Sequence, residues 1–199
     1  MARRRNYNDP GHAHSLTFCC YRRLPLLAKD RSRNWLCEAI NAAREELAYD
    51  VWAYVLMPEH VHLLVCPRER VYDIAAFRKA IKEPVGRAAM AYLKQHAPDF
   101  LSKLTRRRGR RVERLFWQSG GGHDRNVFTL ETLRAQIDYL HLNPVRRRLC
   151  ERATDWAWSS ARDDAAADRG TRRRNAPVSL DLGSLPALLD GGRVEGVRV

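Results

Sequence analysis

His60 and His62 stand two residues apart in an apolar run, and in a β-strand that spacing sends both imidazoles out of one face. Two ring nitrogens so placed can close on a single metal ion. His-x-His is a weak pattern by itself, and the chain holds a second copy at His12 and His14. That copy follows Asp9-Pro10-Gly11 and lacks a long apolar strand, so it reads as a solvated turn near the terminus. The segment Thr129 to Leu142 carries the other chemical feature. Leu130, Leu133, Ile137 and Leu140 form the apolar stripe of an amphipathic helix. Thr132, Gln136, Tyr139 and Asn143 make a second, polar stripe with a hydroxyl, two amides and a phenol on it. On that stripe Tyr139 can reach a site shared with Asn143. The same residues also fit blander roles, a tyrosine at the rim of an amphipathic helix and an asparagine as a left-handed helix end before Pro144.

The elements that must position these groups follow from periodicity. His14 to Tyr21 reads as a strand and Arg31 to Leu47 as a helix. Val51 to Met57 and His60 to Cys66 form an antiparallel hairpin around Pro58-Glu59. Ile74 to Gln95 is helical, with Pro84 expected to kink or divide it, and Val112 to Gln118 reads as a further strand before the helix Thr129 to Leu142. The order predicts an α+β fold, ferredoxin-like, with a mostly antiparallel sheet packed with helices. Residues 1–13 read as a flexible N-terminal segment, 14–162 as the folded domain and 163–199 as a partly ordered tail.

Within 199 residues, 36 Lys plus Arg face 23 Asp plus Glu, a formal net charge of +13. Of the basic residues 31 are Arg, whose planar fork matches phosphate, so the composition points to a nucleic-acid partner. Hydrophobic residues make up 45% of the chain, enough for a core. No apolar run approaches the ~18–20 residues of a membrane span, and the basic start has no apolar segment behind it, so the expectation is a cytoplasmic protein with no membrane partner. Cys19, Cys20, Cys37, Cys66 and Cys150 contain no Cys-x-x-Cys pair and read as reduced thiols.

The runs YDVWAYVLMPEHVHLLVCP, RLFWQSGGGHDRN and DYLHLNPVRRRLCERATDWAWSSAR together resemble the single-tyrosine HUH transposases, in their REP-associated tyrosine transposase branch. The resemblance covers about Ser15 to Arg162. It implies a metal-dependent endonuclease and strand transferase acting on single-stranded or hairpin DNA, with His60 and His62 as the HUH pair and Tyr139 as the nucleophile. It also implies Asn143, four residues on, as the third metal ligand. Glu59, Arg148 and His123 depart from the residues common in related chains, which bears on DNA contacts rather than on the chemistry. The alternative is a noncatalytic nucleic-acid-binding protein on the same fold, motivated by the charge alone.

Mixed nitrogen and oxygen ligands accommodate Mg²⁺ or Mn²⁺, and Gln136 or a metal-bound water is placed to help deprotonate Tyr139. No GxxxxGK[ST] loop is present, in keeping with a reaction that needs no nucleotide cofactor. Lys103 to Arg114 holds seven basic residues and one acid, and Arg106, Arg107, Arg108, Arg110 and Arg111 are the expected phosphate contacts there. Arg146, Arg147 and Arg148, just past the catalytic helix, are expected to touch the substrate strand. Trp117, Trp156 and Trp158 read as core, Ser159 and Ser160 as turn or cap residues, and Gly120 to Gly122 as a flexible turn. Arg172 to Arg174 belong to the tail. A monomer is slightly favoured over a dimer, because the REP-associated branch carries a C-terminal extension.

Overall fold

A computed structural model describes residues 8–167, 171 and 176–186. In chain order it contains β1 (Ala13–Cys19), α1 (Asp30–Glu46), β2 (Tyr49–Leu56), β3 (His60–Pro67) and α2 (Ile74–His96). A hairpin of β4 (Thr105–Arg108) and β5 (Arg111–Arg114) follows, then β6 (His123–Val127), α3 (Leu130–His141), α4 (Asn143–Arg146) and α5 (Ala161–Ala167). The main sheet has the order β2-β3-β1-β6, with each neighbouring pair antiparallel. Two β-α-β units interleave about the central β1 and β3, which is the expected ferredoxin-like α+β arrangement.

Alternation assigns the two faces of the sheet. Leu16 and Phe18 of β1 and Val61, Leu63 and Val65 of β3 pack with Leu36 and Ile40 of α1 and Phe77 and Ile81 of α2. On the opposite face Ala53, Val55, Leu64 and Cys66 lie under Leu133, Ile137 and Leu140 of α3. Every residue of β3 is therefore buried, and His60 and His62 belong to the α3 face, in alternation with Leu64 and Cys66.

Three expectations are corrected. The fourth strand of the sheet is His123–Val127, not Val112 to Gln118. The latter divides into β5, which pairs with β4 in a separate two-stranded sheet, and a core segment in which Trp117 bridges Cys20. Apolar alternation could not announce β6. Asp124 meets His14 at 2.8 Å and Arg78 at 3.3 Å on one face, while His123 and Arg125 line a polar cleft on the other. Helix α2 runs unbroken through Pro84, because Phe77 and Ile81 before it and Val85 and Ala89 after it enter the same core. His14 is not in a solvated turn. It is fully buried in β1, with Nδ1 on Asp124 and Nε2 2.9 Å from the Tyr72 hydroxyl. The turn holding His12 lies directly before it, and the His12 ring stacks on Phe128.

The described part of the tail docks on the β2 edge and α1. Asp181 accepts from the Val51 amide at 2.9 Å and pairs with Arg44, Asn41 bonds Pro177 and Ser179, and Val178 is fully buried. Arg172 to Arg174 and residues 1–7 lie outside the described residues, and Ala13 is already the first residue of β1.

Trp117 is buried, as expected for core, and the Trp156 indole donates to the Leu56 carbonyl at 3.1 Å. Ser159 caps the Ala161 amide, whereas Ser160 is a buried hub that bonds the Tyr54 backbone and His141. The glycine turn is built for close packing. Gly122 has φ +79°, and a Cβ there would lie 2.2 Å from the Thr17 carbonyl oxygen. Gly122→Ala is expected to cost about 3 kcal/mol or more in a urea melt, since strain and overlap combine where β6 joins the sheet.

Candidate active site

The α3 face of β1 and β3 forms the floor of the site. Register sets Thr17 opposite His62 and Cys19 opposite His60. Thr129 caps α3 by accepting from the Thr132 amide, and the helix then carries Tyr139 over the floor. The Tyr139 ring lies edge-on to His62, with centroids 6.0 Å apart, and Tyr139 is 49% exposed. Leu142 keeps a right-handed conformation, so α4 continues the path one turn on and places Asn143 beneath Tyr139's side of the helix. Asn143 is not a left-handed helix end. It is buried and lines the cleft beside His60, His62 and Tyr139, and its Nδ2 has no hydrogen-bond partner among the described residues.

The two histidines are oriented from behind. Glu59 Oε1 accepts from His60 Nδ1 at 3.2 Å and also from Arg147 Nη2 at 2.6 Å, which leaves His60 Nε2 without a proton. Thr17 Oγ1 lies 2.8 Å from His62 Nδ1. His60 Nε2 and His62 Nε2 face each other at 2.9 Å. Without an ion, His62 Nε2–H donates across this gap and the Thr17 hydroxyl donates to the bare Nδ1. Rotation of that hydroxyl lets His62 take the other tautomer and free its Nε2.

The residues fit a divalent ion. An octahedral ion with ligands at ~2.1 Å sets adjacent donors about 3 Å apart, the separation of the two Nε2 atoms, and both imidazoles have the rear partners that metal-bound histidines use. Asn143 adds a third polar group to the cleft, and its side-chain oxygen is the atom able to face a cation. No cluster of three or more His, Cys, Asp or Glu suited to a metal occurs among the described residues, so any such site here depends on an amide.

Burial holds both imidazoles neutral. Desolvation lowers His60, and desolvation together with His60 pushes His62 down to about 3. Burial also pushes His141 down to about 4, where its Nε2 meets Ser160 Oγ at 2.8 Å. Because these folded values lie below the ordinary 6.5, the unfolded chain takes up protons first as pH falls. Their contribution is complete above pH 6.5 and is lost as pH falls toward 4 and 3. Each costs on the order of 1 kcal/mol per pH unit in that window. Urea melts without divalent ions should show a clear loss of stability from pH 7 to pH 5, and an unchanged midpoint would contradict it.

Two clefts meet at Tyr139. One, about 330 Å³, is lined by Thr17, Arg23, His60, His62, Asn143 and Arg146, among others. The other, about 450 Å³, is lined by Ser15, His62, His123, Arg125 and Gln136. Gln136 Oε1 accepts from Ser15 Oγ at 2.8 Å. The Arg146 guanidinium lies 5.0 Å from the Tyr139 ring centre, and Arg147 reaches the cleft through Glu59. Arg148 follows at φ +57°, a left-handed position that favours glycine. The β4–β5 hairpin exposes Arg107, Arg108 and Arg110, whereas Arg106 is tied to Glu113 and Ser119, and Arg111 also pairs with Glu113.

Thr17, Ser15, Arg23 and Arg125 escaped the sequence reading. Ser15, Thr17 and Cys19 do alternate in β1, a signal that becomes legible only once β1 is paired with β3 in register. Arg23 carries no such signal.

Fold and site together place a paired histidine motif on a central strand of a ferredoxin-like sheet, with a tyrosine on the helix across it. No family model matches the chain. It is 25% identical over 159 residues to a curated Haemophilus influenzae protein named "Putative REP-associated tyrosine transposase", covering 72% of this chain and 80% of the relative. A REP-associated tyrosine transposase solved bound to a REP hairpin superposes with a TM-score of 0.65 at 20% identity, covering 98% of this chain and 99% of that one. The resemblance read from the sequence is thereby met in a curated relative, and the fold in a solved structure.

Proposed function

We propose that this chain is a tyrosine transposase, a divalent-metal-dependent endonuclease and strand transferase for single-stranded or hairpin DNA of the repeat class named in its relatives. The observation that carries this reading is the placement of an exposed Tyr139 beside the neutral His60 and His62 pair, in a cleft rimmed by arginines. That arrangement suits attack of a phenol on a phosphodiester.

In the reaction, Tyr139 Oη gives up its proton to water in the cleft and attacks phosphorus. The bond from phosphorus to the 3′ oxygen breaks, the 3′ oxygen leaves with the electron pair and takes a proton, and the 5′ phosphate stays on Tyr139. The phosphate ester retains the energy of the broken bond, so rejoining by a 3′-OH needs no nucleotide. Mg²⁺ or Mn²⁺ held by His60, His62 and Asn143 would supply charge neutralisation at the phosphate oxygens. Glu59 and Thr17 hold the two imidazoles in place for it. Gln136, with its oxygen engaged by Ser15, has its NH₂ group left to donate within the cleft it lines, which suits a phenolate acceptor rather than a base. The basic β4–β5 hairpin and Arg146 to Arg148 supply sequence-independent grip. A single copy contains all these groups, which agrees with a monomer.

A labelled single-stranded hairpin pool incubated with the protein and Mg²⁺ or Mn²⁺ tests the proposal on a denaturing protein gel. The expected result is a labelled, metal-dependent protein band. Tight, salt-sensitive DNA binding with no band under either metal would instead identify a noncatalytic binder.

A further inference from the structure

Arg22 and Arg23 are consecutive residues with φ +53°, in the left-handed region that disfavours any side chain with a Cβ. Nothing in their own chemistry prefers this conformation, so the surroundings must impose it. They do so from both ends of the loop. The Cys20 amide donates to the Glu59 carbonyl at 2.8 Å, the Leu27 amide to the Pro58 carbonyl at 2.8 Å and the Tyr21 amide to the Phe116 carbonyl at 2.8 Å. Tyr21 and Leu27 are buried anchors. The loop is thus pinned to the very turn that leads into His60.

The two arginines diverge from there. The Arg22 guanidinium lies 5.2 Å from the Tyr21 ring centre and is not part of the cleft. Arg23 lines the cleft with His60, His62, Tyr139 and Asn143. The other two cleft arginines have partners, Arg147 in Glu59 and Arg146 in the Tyr139 ring. For Arg23, which is exposed, no ion pair is found among the described residues. Arg23 and Arg146, the two cleft arginines without a carboxylate partner among the described residues, repel one another unless an anion joins them.

Building on the transposase reading, we propose that Arg23 is the clamp for the scissile phosphate, its guanidinium fork engaging the nonbridging oxygens while Tyr139 attacks. Charge on those oxygens is what phosphoryl transfer must stabilise, and a planar fork held by a pinned backbone meets it with little reorganisation. The strained loop is the means of aiming that fork from the far side of the cleft.

Glycine substitutions separate aiming from folding. Arg23→Gly relieves the left-handed backbone, so its melting temperature should equal or exceed wild type, while single-turnover adduct formation on hairpin DNA falls on the order of 10²-fold or more. Arg22→Gly gives the same backbone relief and should keep adduct formation within about twofold. Added guanidinium ion at millimolar concentration should restore part of the Arg23→Gly rate without affecting Arg22→Gly, which a structural role would not produce. Arg23→Lys, with the charge but not the fork, should fall between the two. An active wild type with a fully active Arg23→Gly overturns the clamp alone. A loss of rate in Arg23→Gly with no rescue, matched by an equal loss in Arg22→Gly, also overturns it in favour of a structural loop. If wild type itself forms no adduct with any metal, the transposase reading fails and the clamp with it.

Discussion

Tyr139→Phe is expected to abolish the covalent DNA adduct while leaving the protein folded and bound to DNA. The ring's contacts, edge-on to His62 and under the Arg146 guanidinium, belong to the aromatic carbons and persist in phenylalanine. Only the phenolic oxygen is removed, from a residue that is half-exposed rather than part of the core. Loss of an attacking nucleophile in a covalent mechanism costs on the order of 10⁶ in kcat, so no adduct should be seen in a standard gel. Hairpin affinity, measured at fixed salt, should stay within about threefold, because the phosphate contacts that dominate it come from arginines elsewhere. Undiminished cleavage by Tyr139→Phe would remove the tyrosine from the chemistry.

The second large effect is expected from His62→Ala. It removes one of the two Nε2 atoms that face each other at 2.9 Å and strands the Thr17 hydroxyl that bonds its ring. A metal that neutralises phosphate charge contributes several kcal/mol, so cleavage should fall on the order of 10³-fold, and His60→Ala should fall comparably. Binding of Mn²⁺, followed by calorimetry, should be lost in parallel with cleavage. His12→Ala, from the other His-x-His pair, should leave both within about twofold, since its ring stacks on Phe128 outside the cleft. Metal-independent cleavage by the His62 variant would contradict the assignment.

The contrast between those two histidine pairs shows what periodicity can reveal. His60 and His62 lie in a strand buried on both faces, where every residue but the histidines is apolar up to Pro67, and a two-residue period there has one structural meaning. Around His14 the sequence offers turn residues, and its burial arises from β6 and Tyr72, distant partners that no local pattern encodes. The same limit hid β6. An edge strand whose alternate residues are spent on ion pairs and a polar cleft has no apolar alternation to display. Tyr139 and Asn143 were legible because a helix fixes their relation at one turn, whatever it packs against. Arg23, by contrast, reaches the site through a loop whose path is dictated by hydrogen bonds from Cys20 and Tyr21 to residues distant in sequence, Glu59 and Phe116.

The central claim is that Tyr139 becomes the phosphate carrier. The most direct measurement is peptide mapping by mass spectrometry of protein incubated with hairpin DNA and Mn²⁺, after nuclease trimming of the bound strand. The account predicts a residual 5′-linked nucleotide on the peptide that contains Tyr139, absent without metal. A nucleotide found on another residue, or cleaved DNA with no modified peptide, would contradict it.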